Sequence, residues 1–368
     1  MVSAKSVRRI GVLTGGGDCP GLNAAIRAVT KTAIMEYDLE VWGIEDGFLG
    51  LIQDRVRKLS TGDVSNILGQ GGTILGTSNK SDPARFAVGA DLEGRPIFAD
   101  VTATVVETIR QRELDVLVCI GGDGTMIGAA NLVRQSVPCV GVPKTIDNDL
   151  MHCDLTVGFQ TAVEIAAELL DRVHTTAASH HRVMLVELMG RNAGWLTLHT
   201  GVASGADVIL IPEIPYTVET ICEHCLSRSR QGKAFTIIAI AEGARSPEGK
   251  ATVSRTVADS PDPVRLGGIS QLLAGQIERR THLETRATIL GHVQRGGPPC
   301  AFDRVLATNY GHAAINLVLA GHLNRVVVMQ DGHITSVPIG EVAGGQRLVD
   351  PHHPLITAAR SIGTCFGD

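Results

Sequence analysis

Along this chain, short runs of largely apolar residues alternate with glycine-rich loops and with stretches in which apolar residues recur every three or four positions. The runs at residues 10–13, 116–120 and 183–187 are short and lack a polar face, which is typical of strands buried on both sides. The stretches between such runs have the period of amphipathic helices. Strands that alternate with helices predict an α/β fold with mainly parallel, doubly wound sheets.

The same pattern places the other elements. Strands are predicted at residues 41–44, 137–142, 208–212 and 235–241, and helices at residues 24–34, 100–112, 161–174 and 218–226. A hairpin is predicted at residues 325–338, because two apolar runs flank the turn residues Asp331 and Gly332. Residues 245–262 are interpreted as a surface excursion, and the residues after Pro351 have no informative pattern.

Length and composition narrow the class of protein. A chain of 368 residues exceeds what one hydrophobic core usually serves, which favours two domains. The net charge of −5 provides no basic surface for nucleic acid or for an anionic membrane. Eight cysteines in so long a chain do not indicate a disulfide framework, and no apolar run reaches the roughly 18 residues of a membrane helix. We therefore expect a cytoplasmic protein.

Carboxylates follow two of the predicted strands. Asp123 lies in the loop after residues 116–120, and Asp147 and Asp149 follow residues 137–142. Ligands of an open parallel sheet bind outside the carboxyl ends of its strands, and Mg²⁺ prefers a few carboxylate oxygens beside phosphate and water. The pattern predicts a phosphate and magnesium site in which one of Asp147 and Asp149 is the base for an alcohol and the other faces the metal. The alternative for residues 145–149 is an Asx-rich turn without chemistry.

The loop at residues 14–23 joins the first predicted strand to a helix. Backbone N–H groups and the helix dipole make such a junction a cradle for phosphate. The loop has neither the Gly-Lys-Ser/Thr ending of a Walker loop nor the dinucleotide pattern Gly-x-Gly-x-x-Gly, which disfavours a dehydrogenase. Taken alone, it is equally consistent with a tight turn.

Basic side chains near other strands indicate an anionic acceptor. Arginine binds phosphate oxygens in a bidentate manner and histidine adds a further donor. A single arginine is more often a solvated surface residue, but repeated arginines beside strands of one glycine-rich fold favour a phosphate pocket. The residues concerned are Arg182, Arg191, Arg286, His292 and Arg295.

Several of these loops, in this order, resemble those of the 6-phosphofructokinase family. They lie at residues 14–23, 121–125, 143–149, 189–195, 242–243 and 290–297. The Gly-Gly-Asp-Gly-Thr loop alone also resembles NAD kinases and lipid kinases, which lack the Thr-Ile-Asp-Asn-Asp and His-Val-Gln-Arg-Gly-Gly loops. The resemblance implies the glycolytic phosphorylation of fructose 6-phosphate at its 1-hydroxyl, with Mg²⁺.

The resemblance also implies individual roles. Asp147 is expected to be the base, Thr145 and Arg191 to assist catalysis, and Asp123 and Asp149 to lie next to the metal. The residues expected at the phosphoryl donor are Gly17, Lys80, Gly122, Gly124, Thr125 and Lys144. The residues expected to hold the sugar phosphate are Thr145, Asp147, Met189, Gly190, Arg191, Glu242, His292 and Arg295, with Arg182 and Arg286 arriving from a neighbouring subunit.

At a larger level, the resemblance implies two doubly wound domains around an active-site cleft. The donor-binding domain is expected to comprise residues 1–158 and 294–350, and the sugar-phosphate domain residues 159–293 and 351–368. A homo-oligomer, either a dimer or the more typical tetramer, is also implied.

Two positions bear on the phosphoryl donor. In the family, an aspartate after Gly-Gly-Asp together with a lysine before Thr-Ile-Asp-Asn-Asp resembles the pyrophosphate-dependent members. This chain has Gly124 at the first position and Lys144 at the second. An aspartate at position 124 would repel the α-phosphate of ATP, whereas glycine leaves room. ATP is therefore favoured, and pyrophosphate is the alternative.

Two further points qualify the resemblance. Asn79 stands where the family has an arginine that bridges donor and acceptor phosphates, and Lys80 is expected to replace it as a point charge. A non-catalytic sugar-phosphate-binding regulatory subunit is a third candidate, but the presence of both Asp123 and Asp147 argues against it.

Overall fold

The computed structural model describes residues 7–249, 252–256 and 264–368. These residues form two compact units. The first unit contains residues 7–161 and 295–346, and the second contains the other described residues. The assignment of the donor to one unit and of the sugar phosphate to the other stays a prediction.

The strands and helices have the following bounds in chain order. The strands are β1 (Arg9–Thr14), β2 (Glu40–Ile44), β3 (Val56–Leu59), β4 (Phe86–Ala90), β5 (Pro96–Ala99), β6 (Val116–Gly121), β7 (Cys139–Pro143), β8 (Val183–Leu188), β9 (Val208–Leu210), β10 (Thr236–Ala241), β11 (Val253–Thr256), β12 (Val264–Leu266), β13 (Thr285–Ile289), β14 (Arg325–Gln330) and β15 (His333–Pro338). The helices are α1 (Leu22–Tyr37), α2 (Phe48–Ile52), α3 (Thr102–Gln111), α4 (Asp123–Arg134), α5 (Phe159–His180), α6 (Trp195–Ala203), α7 (Val218–Arg230), α8 (Ile269–Thr281), α9 (Ala301–Leu319), α10 (Ile339–Val342) and α11 (Pro354–Ser361), with short 3₁₀ helices at Pro83–Arg85 and Gly291–Arg295.

The first unit is built on a seven-stranded sheet in the order β15-β14-β7-β6-β1-β2-β3. Its inner pairs, from β14 to β2, are parallel, and only the edge strands β15 and β3 run antiparallel to their neighbours. Strands β6 and β7 are buried along their whole length. This burial explains why they are apolar without alternation, since helices cover both faces of a parallel sheet.

The second unit is built on a four-stranded parallel sheet in the order β13-β8-β10-β9. Strands β8, β9 and β10 are buried throughout. Their core side chains pack against those of α7 and α8, which include Ile221, Leu273 and Ile277. The core of this unit is therefore mainly aliphatic, in keeping with the aromatic content of 3% for the whole chain.

The predicted fold class, α/β with two domains and mainly parallel sheets, is confirmed. The predicted strands and the hairpin of β14 and β15 are present, and the helix predicted at residues 161–174 extends to Phe159–His180. The pattern did not predict the strands β3, β4, β5, β11, β12 and β13 or the helices α2, α4, α6, α8, α9 and α10, and it was silent about α11. The three-to-four-residue spacing that reveals an amphipathic helix is blurred where apolar residues lie on most sides of a helix, and α9 is such a helix.

Two other predictions concern particular segments. The excursion at residues 245–262 lies partly outside the described residues, and its described part includes β11, which pairs with β12. Among the described residues, no helix has the length and apolar character that a membrane crossing requires.

Candidate active site

In the first unit, the carboxyl ends of β6 and β7 carry the predicted carboxylates. The two strands are parallel neighbours, and the backbone N–H of Lys144 donates to the carbonyl of Gly121 at 3.0 Å where both strands end. Asp123 begins α4 directly after β6, and residues 144–149 continue from β7. The adjacency that the sequence pattern predicted for these two loops is therefore present.

Asp147 presents an unpaired carboxylate oxygen. Its Oδ1 atom is buried and has no hydrogen-bond partner in the described part of the chain. Burial raises the pKa of Asp147, and the positive charges of Arg295 and Lys144 act in the opposite direction. Buried polar atoms of proteins are nearly always hydrogen-bonded, so an unpaired one indicates a position where a ligand group binds.

Asp149 and Asp123 lie near Asp147. Burial, followed by the negative charge of Asp147, raises the pKa of Asp149 to about 7, and the charge of Asp123 adds to this shift. Burial also raises the pKa of Asp123, although its Oδ1 accepts a hydrogen bond of 2.7 Å from the N–H of Gly344. Carboxylates that raise one another's pKa form a site where a cation is electrostatically favoured.

These carboxylates fit Mg²⁺ only in combination with other ligands. Among the described residues, no cluster of three or more His, Cys, Asp and Glu side chains is arranged to hold a metal ion. Mg²⁺ commonly takes one or two carboxylates and completes its shell with substrate phosphate and water. Asp123 and Asp149 match that donor set.

The first glycine loop, residues 15–17, lies beside the same strand ends. Gly15 donates its N–H to the carbonyl of Ile120 at the end of β6. Gly16 has a φ of 77°, in the left-handed region that glycine adopts without strain. A Cβ atom on Gly17 would lie 2.6 Å from Nη1 of Arg295, so any other residue there would displace the Arg295 guanidinium group.

Arg295 lies against this loop. Its Nη1 donates to the carbonyl of Asp18 at 3.0 Å, and its charge acts on Asp147 and Lys144. The sequence assigned Arg295 to the sugar phosphate on the resemblance of residues 290–297. The structure places it in the first unit with the donor loops, and its role toward the acceptor stays a prediction.

The other predicted donor residues differ in exposure. Gly124 is exposed, and a Cβ atom there would meet nothing within 4 Å. Lys80 is also exposed. Thr125 is only 4% exposed, and its side chain is the nearest neighbour of Cβ positions at Gly15 and Gly121. Thr125 is thus a packing residue between the ends of β1 and β6.

Lys144 is buried as well. Only 3% of the residue is exposed, and Nζ donates to the carbonyls of Gly15 at 3.0 Å and Gly17 at 2.5 Å. Gly122 lies next to it, since a Cβ atom on Gly122 would lie 3.4 Å from the carbonyl of Lys144. Both residues join the loops after β1, β6 and β7.

In the second unit, the predicted sugar-phosphate residues meet at the carboxyl ends of β8 and β10. The N–H of Glu242 donates to Leu188 at 2.9 Å, and the N–H of Gly243 donates to Gly190 at 3.1 Å. Gly190 has a φ of 134°, which glycine alone tolerates easily. Arg191 donates to the carbonyl of Val264 at 3.1 Å. Two further predicted residues lie in this region, namely Met189, directly after β8, and the exposed His292, which follows β13.

Arg182 and Arg286 lie at the other end of the same sheet. Arg182 precedes β8, and Arg286 is the second residue of β13, paired in register with Met184. Both guanidinium groups contact one oxygen of Glu284, each at 2.7 Å. Strand β8 has six residues and therefore spans about 20 Å. The structure does not bring these two arginines together with Met189, Arg191 and Glu242 of the same chain.

Comparison with known proteins assigns the family. The sequence model of phosphofructokinase matches residues 9–318. The chain belongs to the phosphofructokinase family. This confirms the resemblance carried by the loops of both units, since the match includes all of them.

Curated members of the phosphofructokinase family match the chain over nearly its whole length. The ATP-dependent 6-phosphofructokinase 2 of Clostridium perfringens is 49% identical over 98% of this chain and 99% of its own. The pyrophosphate–fructose 6-phosphate 1-phosphotransferase of Streptomyces coelicolor is 46% identical over 98% of this chain and 100% of its own.

Solved structures of phosphofructokinases share the fold. A T-state structure from Pichia pastoris has a TM-score of 0.77 and 31% identity, and covers 97% of this chain. This chain spans only 36% of that longer one. A pyrophosphate-dependent phosphofructokinase from Marinobacter aquaeolei has a TM-score of 0.78 at 19% identity over 98% of this chain and 92% of its own, which shows the fold alone.

Sequence reasoning missed two residues that hydrogen-bond to the site. Thr77 donates to the carbonyl of Gly16 at 2.6 Å, and Gly344 donates to Asp123. Thr77 lies in the glycine and hydroxyl loop at residues 71–78, so its loop was a usable signal. Gly344 is 221 positions from its partner, and no local pattern could identify it.

Proposed function

We propose that this protein transfers the γ-phosphoryl group of ATP to the 1-hydroxyl of fructose 6-phosphate, giving fructose 1,6-bisphosphate and ADP as a step of glycolysis. The observation that carries the proposal is the buried, unpaired Oδ1 of Asp147, which lies among the loops that end β6 and β7. The names of the Clostridium perfringens and Spirochaeta thermophila relatives, both ATP-dependent 6-phosphofructokinases, support the same reaction.

In this reaction Asp147 accepts the proton of the 1-hydroxyl. The freed oxygen bonds to the γ-phosphorus while the bond from that phosphorus to its bridging oxygen breaks, and ADP leaves with the electron pair. The N–H of Asp147 donates to Thr145 Oγ1 at 3.1 Å, which supports Thr145 as the residue that orients the base. Arg295, beside Asp147, adds positive charge where negative charge develops.

Asp123 and Asp149 hold Mg²⁺ in this proposal. An ion held by these two carboxylates would supply positive charge to the transferred phosphoryl group and its leaving oxygen. The shared burial of these carboxylates, and the raised pKa of both, support a cation there.

The second unit binds the sugar phosphate. Glu242, Met189, Gly190 and Arg191 surround the joined ends of β8 and β10, and His292 follows β13 at the same edge. Arginine and histidine donors suit a phosphate, and a glutamate accepts hydrogen bonds from sugar hydroxyls. The first unit binds the phosphoryl donor.

The protein acts as a homo-oligomer in which Arg182 and Arg286 serve the active site of a neighbouring subunit. Their position at the amino end of β8 and β13, opposite Met189 and Glu242, supports this arrangement. Two arginines that share one glutamate also form a compact cationic pair suited to a phosphate dianion.

Pyrophosphate is the second candidate donor. The Streptomyces coelicolor relative is named for it, and Lys144 resembles the lysine of pyrophosphate-dependent members. The open, exposed position of Gly124 favours ATP, because an α-phosphate can approach it without meeting a side chain.

The deciding experiment measures initial rates with fructose 6-phosphate and either ATP or pyrophosphate, with Mg²⁺ supplied. We expect turnover with ATP and its loss when a chelator removes Mg²⁺. Turnover with pyrophosphate alone would establish the second candidate. If neither donor supports turnover but fructose 6-phosphate binds, the protein is a regulatory subunit and the proposal is wrong.

A further inference from the structure

Each carbonyl of the first glycine loop accepts a hydrogen bond from outside the loop. Lys144 Nζ donates to the carbonyl oxygens of Gly15 and Gly17 at 3.0 and 2.5 Å. Thr77 Oγ1 donates to the carbonyl oxygen of Gly16 at 2.6 Å. Two side chains from two different loops therefore fix three successive peptide groups.

Fixing these carbonyls also fixes the direction of the N–H groups. In a trans peptide, C=O and N–H point in opposite directions. The N–H groups of Gly16 and Asp18 thus point away from Lys144, and the N–H of Gly17 points away from Thr77. That of Gly16 donates to the carbonyl of Ser78 at 3.3 Å. Because the Gly16 N–H is engaged by Ser78, the N–H groups of Gly17 and Asp18, beside the left-handed Gly16, are the loop amides that can bind an anion.

Lys144 has little surface left for a ligand. The residue is 3% exposed, and two of its three ammonium protons are engaged by the loop. A lysine that selects a donor by binding the donor's terminal phosphate would need an accessible ammonium group. Lys80, which is exposed two residues after the glycine and hydroxyl loop at residues 71–78, meets that requirement better.

We propose that Lys144 is a positioning residue, which holds the carbonyls of Gly15 and Gly17 so that the loop amides face the phosphoryl donor. In this role it supports the binding of ATP and of pyrophosphate equally and does not select between them. The inference rests on the proposed function only in that a phosphoryl donor binds this loop. The lysine that distinguishes pyrophosphate-dependent members would then act in this chain as part of the loop scaffold.

The test compares Lys144→Met, which keeps the length of the side chain, with Thr77→Val, which removes the other loop donor while keeping its shape. Calorimetry measures binding of ATP and of pyrophosphate, and hydrogen exchange follows the peptides that cover residues 11–22. We expect Lys144→Met to weaken both donors by a similar factor, about 10- to 100-fold. For Thr77→Val we expect a loss of about 2- to 10-fold.

Both variants should accelerate amide exchange within residues 15–18 and leave the affinity for fructose 6-phosphate within about twofold. Lys80→Met is the comparator: it should weaken donor binding without changing exchange in the loop. Thr77→Val keeps the inference testable if Lys144→Met does not fold.

Two results would overturn the inference. In the first, Lys144→Met weakens the binding of one donor more than that of the other by a factor above about ten. In the second, hydrogen exchange of the loop amides is unchanged in both variants. If the wild-type protein binds only one donor measurably, the hydrogen-exchange rates of the loop amides alone test whether Lys144 positions the loop. Binding and exchange do not require turnover, so a protein without phosphofructokinase activity would disprove the proposed function and still test Lys144.

Discussion

Asp147 and Asp149 have different environments although only one residue separates them. Asp147 is flanked by the charges of Arg295 and Lys144, which favour its ionised form. Asp149 is 9% exposed, and the largest charge effect on it is the negative charge of Asp147. This difference supports the proposed roles, with Asp147, which has cationic neighbours, as the base and Asp149, which lacks them, as a ligand of the metal ion.

The raised pKa of Asp149 predicts a pH-dependent cost in stability. Its pKa is about 7 in the folded protein and about 3.9 in an unfolded chain. Between these values the folded protein retains a proton that the unfolded chain has released, so this residue lowers stability as the pH rises from about 4 to 7. At pH 8 without Mg²⁺, Asp149→Asn should therefore raise Tm by several degrees.

Calorimetric melting curves provide the measurement and its internal control. The difference in Tm between variant and wild type should shrink as the pH is lowered toward 5, where Asp149 is already protonated. Mg²⁺ should stabilise the wild type more than the variant. A variant that melts below the wild type at pH 8 would contradict the electrostatic account.

Gly124 provides the direct test of donor choice. Because a Cβ atom there meets nothing within 4 Å, Gly124→Asp should fold normally. Its carboxylate would repel the α-phosphate of ATP, which should lower kcat/KM for ATP by about tenfold or more. Gly124→Asn is the matched control, with the same size and no charge. Unchanged ATP kinetics in Gly124→Asp would contradict the explanation that Gly124 permits ATP to bind.

Sequence reasoning identified chemical groups better than their contacts. Asp123, Asp147 and Asp149 could be singled out because carboxylates directly after buried strands are conspicuous. The burial of Lys144 and Thr125 could not be read from the sequence, because both residue types are usually exposed. Their burial results from packing among the ends of β1, β6 and β7.

Helices α5 and α9 are joined by one buried carboxylate. Asp303, in the first turn of α9, is fully buried and accepts hydrogen bonds from the N–H of Gly158 at 3.0 Å and of Thr161 at 2.8 Å. It also accepts a hydrogen bond of 2.6 Å from Thr161 Oγ1. A side chain from α9 thus accepts hydrogen bonds from two backbone amides at the N-terminus of α5.

Removing this carboxylate should destabilise the fold. Asp303→Ala leaves these donors without an acceptor in a buried position, which should lower the free energy of unfolding by about 3 kcal/mol. Urea denaturation at equilibrium is the measurement. Asp171→Ala, at an exposed position on α5, is the control and should change stability by less than about 0.5 kcal/mol. Equal effects of the two substitutions would disprove the capping role.

In our proposal, each active site contains residues from two copies of the chain. Arg182 lies at the opposite end of β8 from Met189, so it can serve a sugar phosphate at that edge only in another subunit. This geometry predicts complementation between defective chains. Asp147→Ala and Arg182→Ala should each be nearly inactive alone.

After subunit exchange, a mixture of these two variants should recover activity. Half of randomly formed dimers contain both chains, and one of their two sites has both wild-type residues, so about a quarter of all sites should be active. The control mixture, Asp147→Ala with Asp123→Ala, should recover nothing, because both residues lie at the ends of β6 and β7 in one chain. Absence of recovery in the first mixture despite exchange would exclude a shared site.

The amino-acid sequence by itself determined the fold class, the family and the set of chemical groups at the strand ends. These features are local: a buried strand must be apolar, a loop that approaches phosphate must contain glycine, and both are visible within a few residues. The tertiary structure alone decided that Lys144 supports the first glycine loop, that Arg295 lies at Gly17, and that Arg182 and Arg286 share Glu284. The contacts of Lys144 and Arg295 depend on strand order, since β6 pairs with β1 across more than a hundred residues of sequence, and nothing within one segment specifies its neighbours.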